Sequence, residues 1–167
     1  LKKGGLSVLC CVEMFEEKIE RVILSPVEVD GLDATEKLLR MLEGTKAESI
    51  ILGGITFAGF NIVNPIVIHQ KTCIPVIICS RDEPDNDAML AALKGHFKDW
   101  EERWRIVESL GVVHRTVTKA GDPPLYFEVV GGSPRWAEDV LRSSAIVCRV
   151  PEPVRVARII ARGVSQV

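Results

Sequence analysis

The order of hydrophobic and polar positions along this chain predicts strands first, and then strands alternating with helices. Unbroken apolar runs between turn residues favour buried strands, whereas an i, i+3, i+4 apolar spacing favours helices. The predicted strands cover residues 6–13, 18–29, 49–52, 74–79, 112–118 and 125–130, and the predicted helices cover 34–43, 62–71, 87–96, 98–110, 133–142 and 153 onwards. This order predicts an α/β protein with a mixed sheet flanked by helices.

The last predicted helix carries a row of arginines. Pro153 suits a first helical turn because its φ is fixed and it has no N–H, and Glu152 favours the positive end of the helix. Arg155, Arg158 and Arg162 then recur on one side with no acidic residue among them, as on a helix that faces phosphates. A solvated amphipathic helix that happens to be rich in arginine is the other interpretation, and the spacing leaves both open.

A second candidate site is formed by three carboxylates. Asp30, Asp33 and Glu36 stand at i, i+3 and i+6 around the predicted start of a helix, where side chains can converge on one side. We take all three as candidate catalytic residues. The alternative is structural, because acidic residues in a first turn stabilise the helix N-terminus and Asp33 is placed to be its N-cap.

A glycine-rich stretch over residues 53–61 follows a short buried strand. Glycine lets the backbone approach a ligand closely, so Gly54 and Asn61 are candidate nucleic-acid-binding residues, and Phe57 or Phe60 could stack on a base if exposed. The alternative is that both phenylalanines fill the core while the glycines permit a tight turn. The stretch lacks the Gly-Lys-Ser/Thr ending of a phosphate-binding P-loop.

Size and composition favour one soluble domain over residues 1–167, with a hydrophobic share of 47% and no run long enough to span a membrane. The five cysteines lack metal-ligand spacing, so we expect reduced thiols in a cytoplasmic protein. The net charge of −2 excludes a uniformly basic surface. Residues 1–92 hold 9 basic and 14 acidic side chains and residues 93–167 hold 12 and 9, so a local basic face is expected in the second half.

Four segments, spread in order over most of the chain, carry a family resemblance: 29–36, 52–61, 92–99 and 149–158. They resemble endonuclease V, which nicks nucleic acid beside deaminated purines, and more closely a related archaeal family, the domain of unknown function number ninety-nine. The resemblance implies a ribonuclease H-like fold, with residues 6–29 in the same sheet as the later strands. It also places one more strand, bearing an acidic residue, ahead of Leu6 and before the first residue of this sequence.

The same resemblance makes Glu36 the match of a glutamate that binds the catalytic magnesium in endonuclease V. Two other positions depart from the pattern. Gly53 stands where the related families have a metal-binding aspartate, and Arg158 stands where endonuclease V has aspartate or histidine near the metal. Neither glycine nor a guanidinium supplies a carboxylate ligand.

Two functional hypotheses follow. The first, favoured by the two departures, is a catalytically degenerate or repurposed relative of unassigned activity that binds nucleic acid. The alternative is a magnesium-dependent endonuclease that acts on damaged or deaminated nucleic acid. Both hypotheses imply nucleic acid as a partner, and only the second requires Mg²⁺.

Overall fold

The computed structural model describes residues 4–165, in which eight strands and six helices occur. The strands are β1 (Leu6–Phe15), β2 (Lys18–Glu28), β3 (Ile50–Leu52), β4 (Thr56–Phe57), β5 (Asn61–Ile62), β6 (Val76–Ser80), β7 (His114–Thr116) and β8 (Leu125–Val130). The helices are α1 (Ala34–Met41), α2 (Pro65–Thr72), α3 (Asn86–His96), α4 (Trp100–Glu108), α5 (Pro134–Ser144) and α6 (Glu152–Val164). The predicted α/β class is confirmed.

Local sequence signals explain where several helices begin. Ser133 caps α5 through its hydroxyl, which accepts a hydrogen bond from the N–H of Trp136 at 3.2 Å, and Pro134 follows it. Asn64 caps α2 in the same way by accepting from Ile66 and Val67. The predicted proline start of α6 is also present, with Pro151 at the N-cap and Glu152 in the first turn. The caps of Ser133 and Asn64 satisfy N–H groups that have no partner inside the helix.

The strands form one central sheet and two separate hairpins. In the four-stranded sheet the order is β3-β6-β8-β7, with β3 parallel to β6 and the other neighbours antiparallel. β1 pairs only with β2, and β4 only with β5, within the described residues. The expectation that residues 6–29 share a hydrogen-bonded sheet with β3 and β6 was therefore wrong, although the mixed sheet flanked by helices is present.

Two apolar clusters lie on opposite sides of this sheet. Alternate residues of a strand point to opposite faces, so Ile50 and Leu52 join the cluster that contains α1, α2 and α4, whereas Ile51 joins the cluster of α5 and α6. α6 packs extensively against β1 and also touches β3. This helix therefore links the β1–β2 hairpin to the C-terminal end of β3, where Gly53 follows.

Candidate nucleic-acid interface

A buried arginine joins the two loops in which the sequence placed candidate residues. Arg103 of α4 is only 4% exposed. Its Nη1 donates to the carbonyls of Gly31 and Phe60 at 3.0 and 2.6 Å, and its Nη2 donates to the carbonyl of Asp30 at 2.9 Å. The loop after β2 and the loop between β4 and β5 are therefore held together by one side chain.

The charge of Arg103 is neutralised inside the same network. Its Nη2 lies 2.9 Å from a carboxylate oxygen of Asp99, four residues earlier on the chain, and its guanidinium stacks on the Phe97 ring at 4.4 Å from the centroid. Phe97 in turn makes an edge-to-face contact with Phe60, a residue of the loop that Arg103 holds. A buried guanidinium with this many acceptors is a structural cation.

Asp30 stabilises the loop between β4 and β5. Its φ of 61° lies in the left-handed region, and its N–H donates to the carbonyl of Ala58 at 2.9 Å. Its carboxylate accepts from the N–H of Phe60 at 2.9 Å. A Cβ at Gly59 would lie 2.2 Å from Asp30 Oδ1, so the close approach of the two loops requires glycine there.

Asp33 and Asn61 form a second, adjoining network. Asn61 is fully buried, and its Nδ2 donates to Asp33 Oδ1 at 2.6 Å and to the carbonyl of Glu28 at 2.8 Å. Asp33 occupies the N-cap position of α1 as predicted, but its side chain does not cap the helix. The Ala34 N–H is instead satisfied by Asn61 Oδ1 at 3.0 Å.

Glu36 lies apart from these carboxylates. It is 64% exposed and pairs with Arg40 one turn further along α1. Within residues 4–165, no three or more His, Cys, Asp or Glu side chains form a group that could hold a metal ion. The described contacts do not include the predicted convergence of Asp30, Asp33 and Glu36 on one side, and their catalytic roles and the role of Glu36 as a metal ligand stay predictions.

At the end of β3, Arg158 fills the space that glycine leaves. Nη2 of Arg158 donates to the carbonyl of Gly53 at 3.0 Å. A Cβ at Gly53 would lie 2.8 Å from Val154 Cγ1 and 3.1 Å from Arg158 Nη2. Glycine is thus needed here for space. The next residue, Gly54, has a φ of 101°, and a Cβ there would meet no heavy atom of the described residues within 4 Å.

The Cys79 thiol lies on the same side of the sheet as Arg158. Burial raises the pKa of Cys79 to about 12, and the nearby positive charge of Arg158 opposes that rise only in part. The thiol is therefore neutral at physiological pH and supplies no counter-charge. A positive group, rather than a carboxylate cluster, occupies the C-terminal edge of β3 in the described part of the chain.

The three arginines of α6 have different surroundings. Arg155 forms a two-pronged ion pair with Glu152, from Nε at 2.8 Å and from Nη2 at 2.5 Å. The pKa of Glu152 is held below its usual range mainly by this hydrogen bonding to Arg155. Arg158 is half-buried against Gly53, and Arg162 is exposed. Of the three arginines in the predicted row, Arg155 pairs with a carboxylate, and Arg158 and Arg162 have no carboxylate partner within residues 4–165.

The family resemblance implies a bound magnesium ion, and the donor set tests that implication. Mg²⁺ requires several oxygen ligands in octahedral geometry, usually with carboxylates among them. The carbonyl of Gly53 accepts from Arg158, while Asp30 and Asp33 accept from backbone and amide groups. These residues do not fit a magnesium site at the end of β3.

Sequence reasoning missed the structural role of Arg103. One signal was present, because Asp99 and Arg103 stand at i, i+4, a spacing that allows an ion pair on one helix. The three carbonyl acceptors lie 43 to 73 residues away along the chain, so no local pattern could reveal them.

Solved structures share this architecture. A protein of unknown function from Archaeoglobus fulgidus superposes with a TM-score of 0.79 and 29% identity, covering 95% of this chain and 97% of that one. Human endonuclease V gives 0.61 at 14% identity, with coverages of 95% and 77%. Endonuclease V of Ciona intestinalis, in complex with DNA containing an inosine, gives 0.63 at 13%, with coverages of 96% and 79%. The fold is that of endonuclease V, a ribonuclease H-like fold, as predicted.

Sequence comparisons identify the family. The chain belongs to the family described as Endonuclease dU, whose sequence profile matches residues 1–165. It is 38% identical over 151 residues to a UPF0215 protein of Methanothermobacter thermautotrophicus, covering 88% of this chain and 72% of that protein. A UPF0215 protein of Thermococcus sibiricus is 37% identical over 167 residues, with coverages of 98% and 84%. The predicted archaeal, endonuclease V-like family is confirmed.

Proposed function

We propose that this chain is a cytoplasmic nucleic-acid-binding protein whose described residues bind the phosphate backbone without forming a two-metal cleavage centre. One observation carries the proposal. The C-terminal edge of β3 presents the half-buried guanidinium of Arg158 in contact with Gly53, in place of a cluster of carboxylates. A positive group there attracts phosphate, whereas two-metal hydrolysis requires several anionic ligands.

The related proteins supply the substrate class. The Ciona intestinalis endonuclease V structure contains DNA with an inosine, and the family of this chain is described as Endonuclease dU. We therefore propose strands that contain a deaminated base, deoxyuridine or inosine, as the ligands of this chain. The five cysteines are all free thiols, as suits a reducing compartment. No helix in residues 4–165 is both long enough and apolar enough to cross a bilayer.

Three residues are proposed to contact the ligand. Arg158 and Arg162 lie one helical turn apart on α6, so both can reach one backbone. Gly54 directly follows Gly53, the residue that Arg158 contacts, and the open space at Gly54 lets the chain approach a strand closely. Asn61 and Arg155 were candidates as well, but their polar groups are engaged inside the protein, with Asp33 and Ala34 and with Glu152 respectively.

The proposal is tested by fluorescence anisotropy on single-stranded oligonucleotides that contain deoxyuridine, inosine or only normal bases. We expect binding to all three in low salt, tightest for a deaminated base, and a linear fall of log K with log salt. Arg162→Ala removes one phosphate contact and should reduce that slope by about 0.7. Arg115→Ala removes the same charge from exposed β7, at the opposite edge of the sheet, and serves as the matched control.

Two results would overturn this function. The first is the absence of salt-dependent binding to any of the oligonucleotides by the folded protein. The second is an equal loss of affinity in Arg162→Ala and Arg115→Ala, because binding would then depend on overall charge and not on α6.

The second candidate function is that of a magnesium-dependent endonuclease, which the family description and the endonuclease V fold favour. Glu36 is its key residue because it matches the metal-binding glutamate of endonuclease V, and a bound ion would have to displace Arg40 from its exposed carboxylate. Cleavage of the deoxyuridine or inosine strand with magnesium, abolished in Glu36→Gln and retained in Glu43→Gln, would establish it. Absence of metal-dependent cleavage in a protein that binds the same strands supports binding alone.

A further inference from the structure

The space at the end of β3 is shaped for the Arg158 side chain. Gly53 has no side chain, α6 brings Val154 to within 2.8 Å of where a Cβ would stand, and the Arg158 guanidinium lies over the same point. The contact joins residues that are 105 positions apart in the chain. An alanine at Gly53 could not be accommodated without moving Val154 or Arg158.

The charge of Arg158 has no carboxylate partner within residues 4–165. Among the ion pairs of this part of the chain, arginines 21, 40, 103, 142 and 155 each pair with a carboxylate, and Arg158 does not. A guanidinium has five N–H donors, and the carbonyl of Gly53 is the acceptor that the described residues offer to Arg158. The other donors therefore remain for a ligand or for water.

The surroundings make this charge a strong anion attractor. Arg158 is half-buried beside the buried side chain of Val154, and the buried Cys79 thiol nearby is neutral. A charge that is partly removed from water and unpaired gains more from an anion than an exposed one, because less solvent screens the interaction. A planar guanidinium also matches phosphate oxygens in a two-pronged geometry.

We infer that Arg158 is a fixed cation that binds a phosphate group at the C-terminal edge of β3 without a divalent metal, and that Gly53 is the residue that makes room for it. The inference rests on the proposed nucleic-acid binding for its biological ligand. The chemistry is the same for a phosphate within a strand and for free phosphate, and the two sources are separated by experiment.

The first measurement compares oligonucleotide binding in EDTA and in magnesium. The wild-type protein should bind equally well or better in EDTA, since free magnesium competes for the phosphates. Arg158→Ala should weaken binding about tenfold, as expected for one lost charge-assisted contact. Arg158→Lys keeps the charge but loses the fork, so it should lie between the two. Arg115→Ala should bind like the wild type.

Gly53→Ala tests the second half of the inference, because it changes no charge. We expect the added methyl group to displace Arg158 and to weaken binding in EDTA about as much as Arg158→Ala, with circular dichroism confirming that the variant is folded. If Gly53→Ala unfolds, the Arg158 variants carry the test. Binding that requires magnesium, or equal affinities of Arg158→Ala and Arg115→Ala, would overturn the inference.

Inorganic phosphate and pyrophosphate separate this inference from the proposed function. The melting temperature in EDTA should rise with either ion for the wild type and not for Arg158→Ala, whatever the response to oligonucleotides. A phosphate response without oligonucleotide binding would leave the Arg158 site valid and remove the nucleic-acid function. Oligonucleotide binding that is unaffected by Arg158→Ala would leave the nucleic-acid function valid and remove the Arg158 site.

Discussion

Arg103 and Arg158 are both withdrawn from solvent, but their guanidinium groups differ in how many acceptors and partners surround them. Arg103 donates to three carbonyls, pairs with Asp99 and stacks on Phe97. Arg158 has one carbonyl acceptor, that of Gly53, and lacks a carboxylate partner among the described residues. A satisfied buried charge rigidifies its surroundings, whereas an unpaired one near the surface is available to a ligand.

The comparison also separates the candidate residues. Asp30, Asp33 and Asn61 belong to the region around Arg103, where their polar atoms hold loops together. Gly53, Gly54 and Arg158 belong to the end of β3, where charge and, beside Gly54, space remain open. Asp30, Asp33 and Asn61 therefore hold loops together in this structure, whereas Gly53, Gly54 and Arg158 form the proposed binding site.

The largest effect is expected from Arg103→Ala. We expect a cost of about 3–5 kcal/mol, because three carbonyls lose their buried donor, Asp99 loses its partner and Phe97 loses the stacked guanidinium. The free energy of unfolding from urea denaturation should fall by that amount. Arg105→Ala, an exposed position two residues further on α4, should change it by less than about 0.5 kcal/mol. Comparable losses in the two variants would remove Arg103 from its structural role.

Asn61→Ala should have the next largest effect. Asn61 is fully buried and serves Ala34, Glu28 and Asp33 at once, so its loss leaves several polar groups unsatisfied. We expect a cost of roughly 2–4 kcal/mol, as each orphaned buried group costs about 1–3 kcal/mol. Asn86→Ala, at an exposed position, is the control. A loss below about 1 kcal/mol would mean that water replaces Asn61.

Local signals account for the part of the fold that could be predicted. Ser133 with Pro134, and Pro151 to Pro153, fix helix starts through caps and backbone geometry, which depend on neighbouring residues. The two-residue strands β4 and β5 were not predicted, because so short a hairpin has no periodicity to detect. This hairpin largely overlaps residues 53–61, where the sequence predicted a glycine-rich turn.

The site was less predictable because its contacts are not local. Asn61 caps α1 from 27 residues away, so Asp33 was the natural prediction for that cap. The need for glycine at position 53 arises from Val154 and Arg158 on α6. Sequence reasoning identified Gly53 and Arg158 as departures from a metal site, but only the tertiary packing shows that the two departures are in contact.

Gly53→Asp adds a carboxylate at the end of β3, next to the unpaired charge of Arg158. If the edge of β3 were a vacant metal site, the aspartate would bind magnesium and the ion would raise the melting temperature. Because Val154 and Arg158 fill this space, we expect a loss of about 1–3 kcal/mol from overpacking, an ion pair with Arg158, and weaker oligonucleotide binding. Gly53→Asn, similar in shape but neutral, separates the steric cost from the charge. If magnesium stabilises Gly53→Asp but neither the wild type nor Gly53→Asn, that result would contradict the described geometry.

Glu152→Gln is expected to have the smallest effect and sharpens the contrast within α6. Glu152 neutralises Arg155, and this pairing keeps the pKa of Glu152 below its usual range. A carboxyl group whose pKa is lower in the folded state stabilises the fold above its unfolded pKa, about 4.3, and this contribution disappears as the pH falls through the folded pKa. At pH 7 the variant should therefore be less stable than the wild type by about 1 kcal/mol, and the difference should become smaller at pH 3. Unfolding in urea at both pH values measures this, with Glu138→Gln, which removes the Arg142 pair of α5, as the control.

Because Glu152→Gln also leaves Arg155 without its carboxylate, oligonucleotide binding by the variant at pH 7 should strengthen. Unchanged or weaker binding would show that pairing does not distinguish Arg155 from Arg158 as a phosphate ligand.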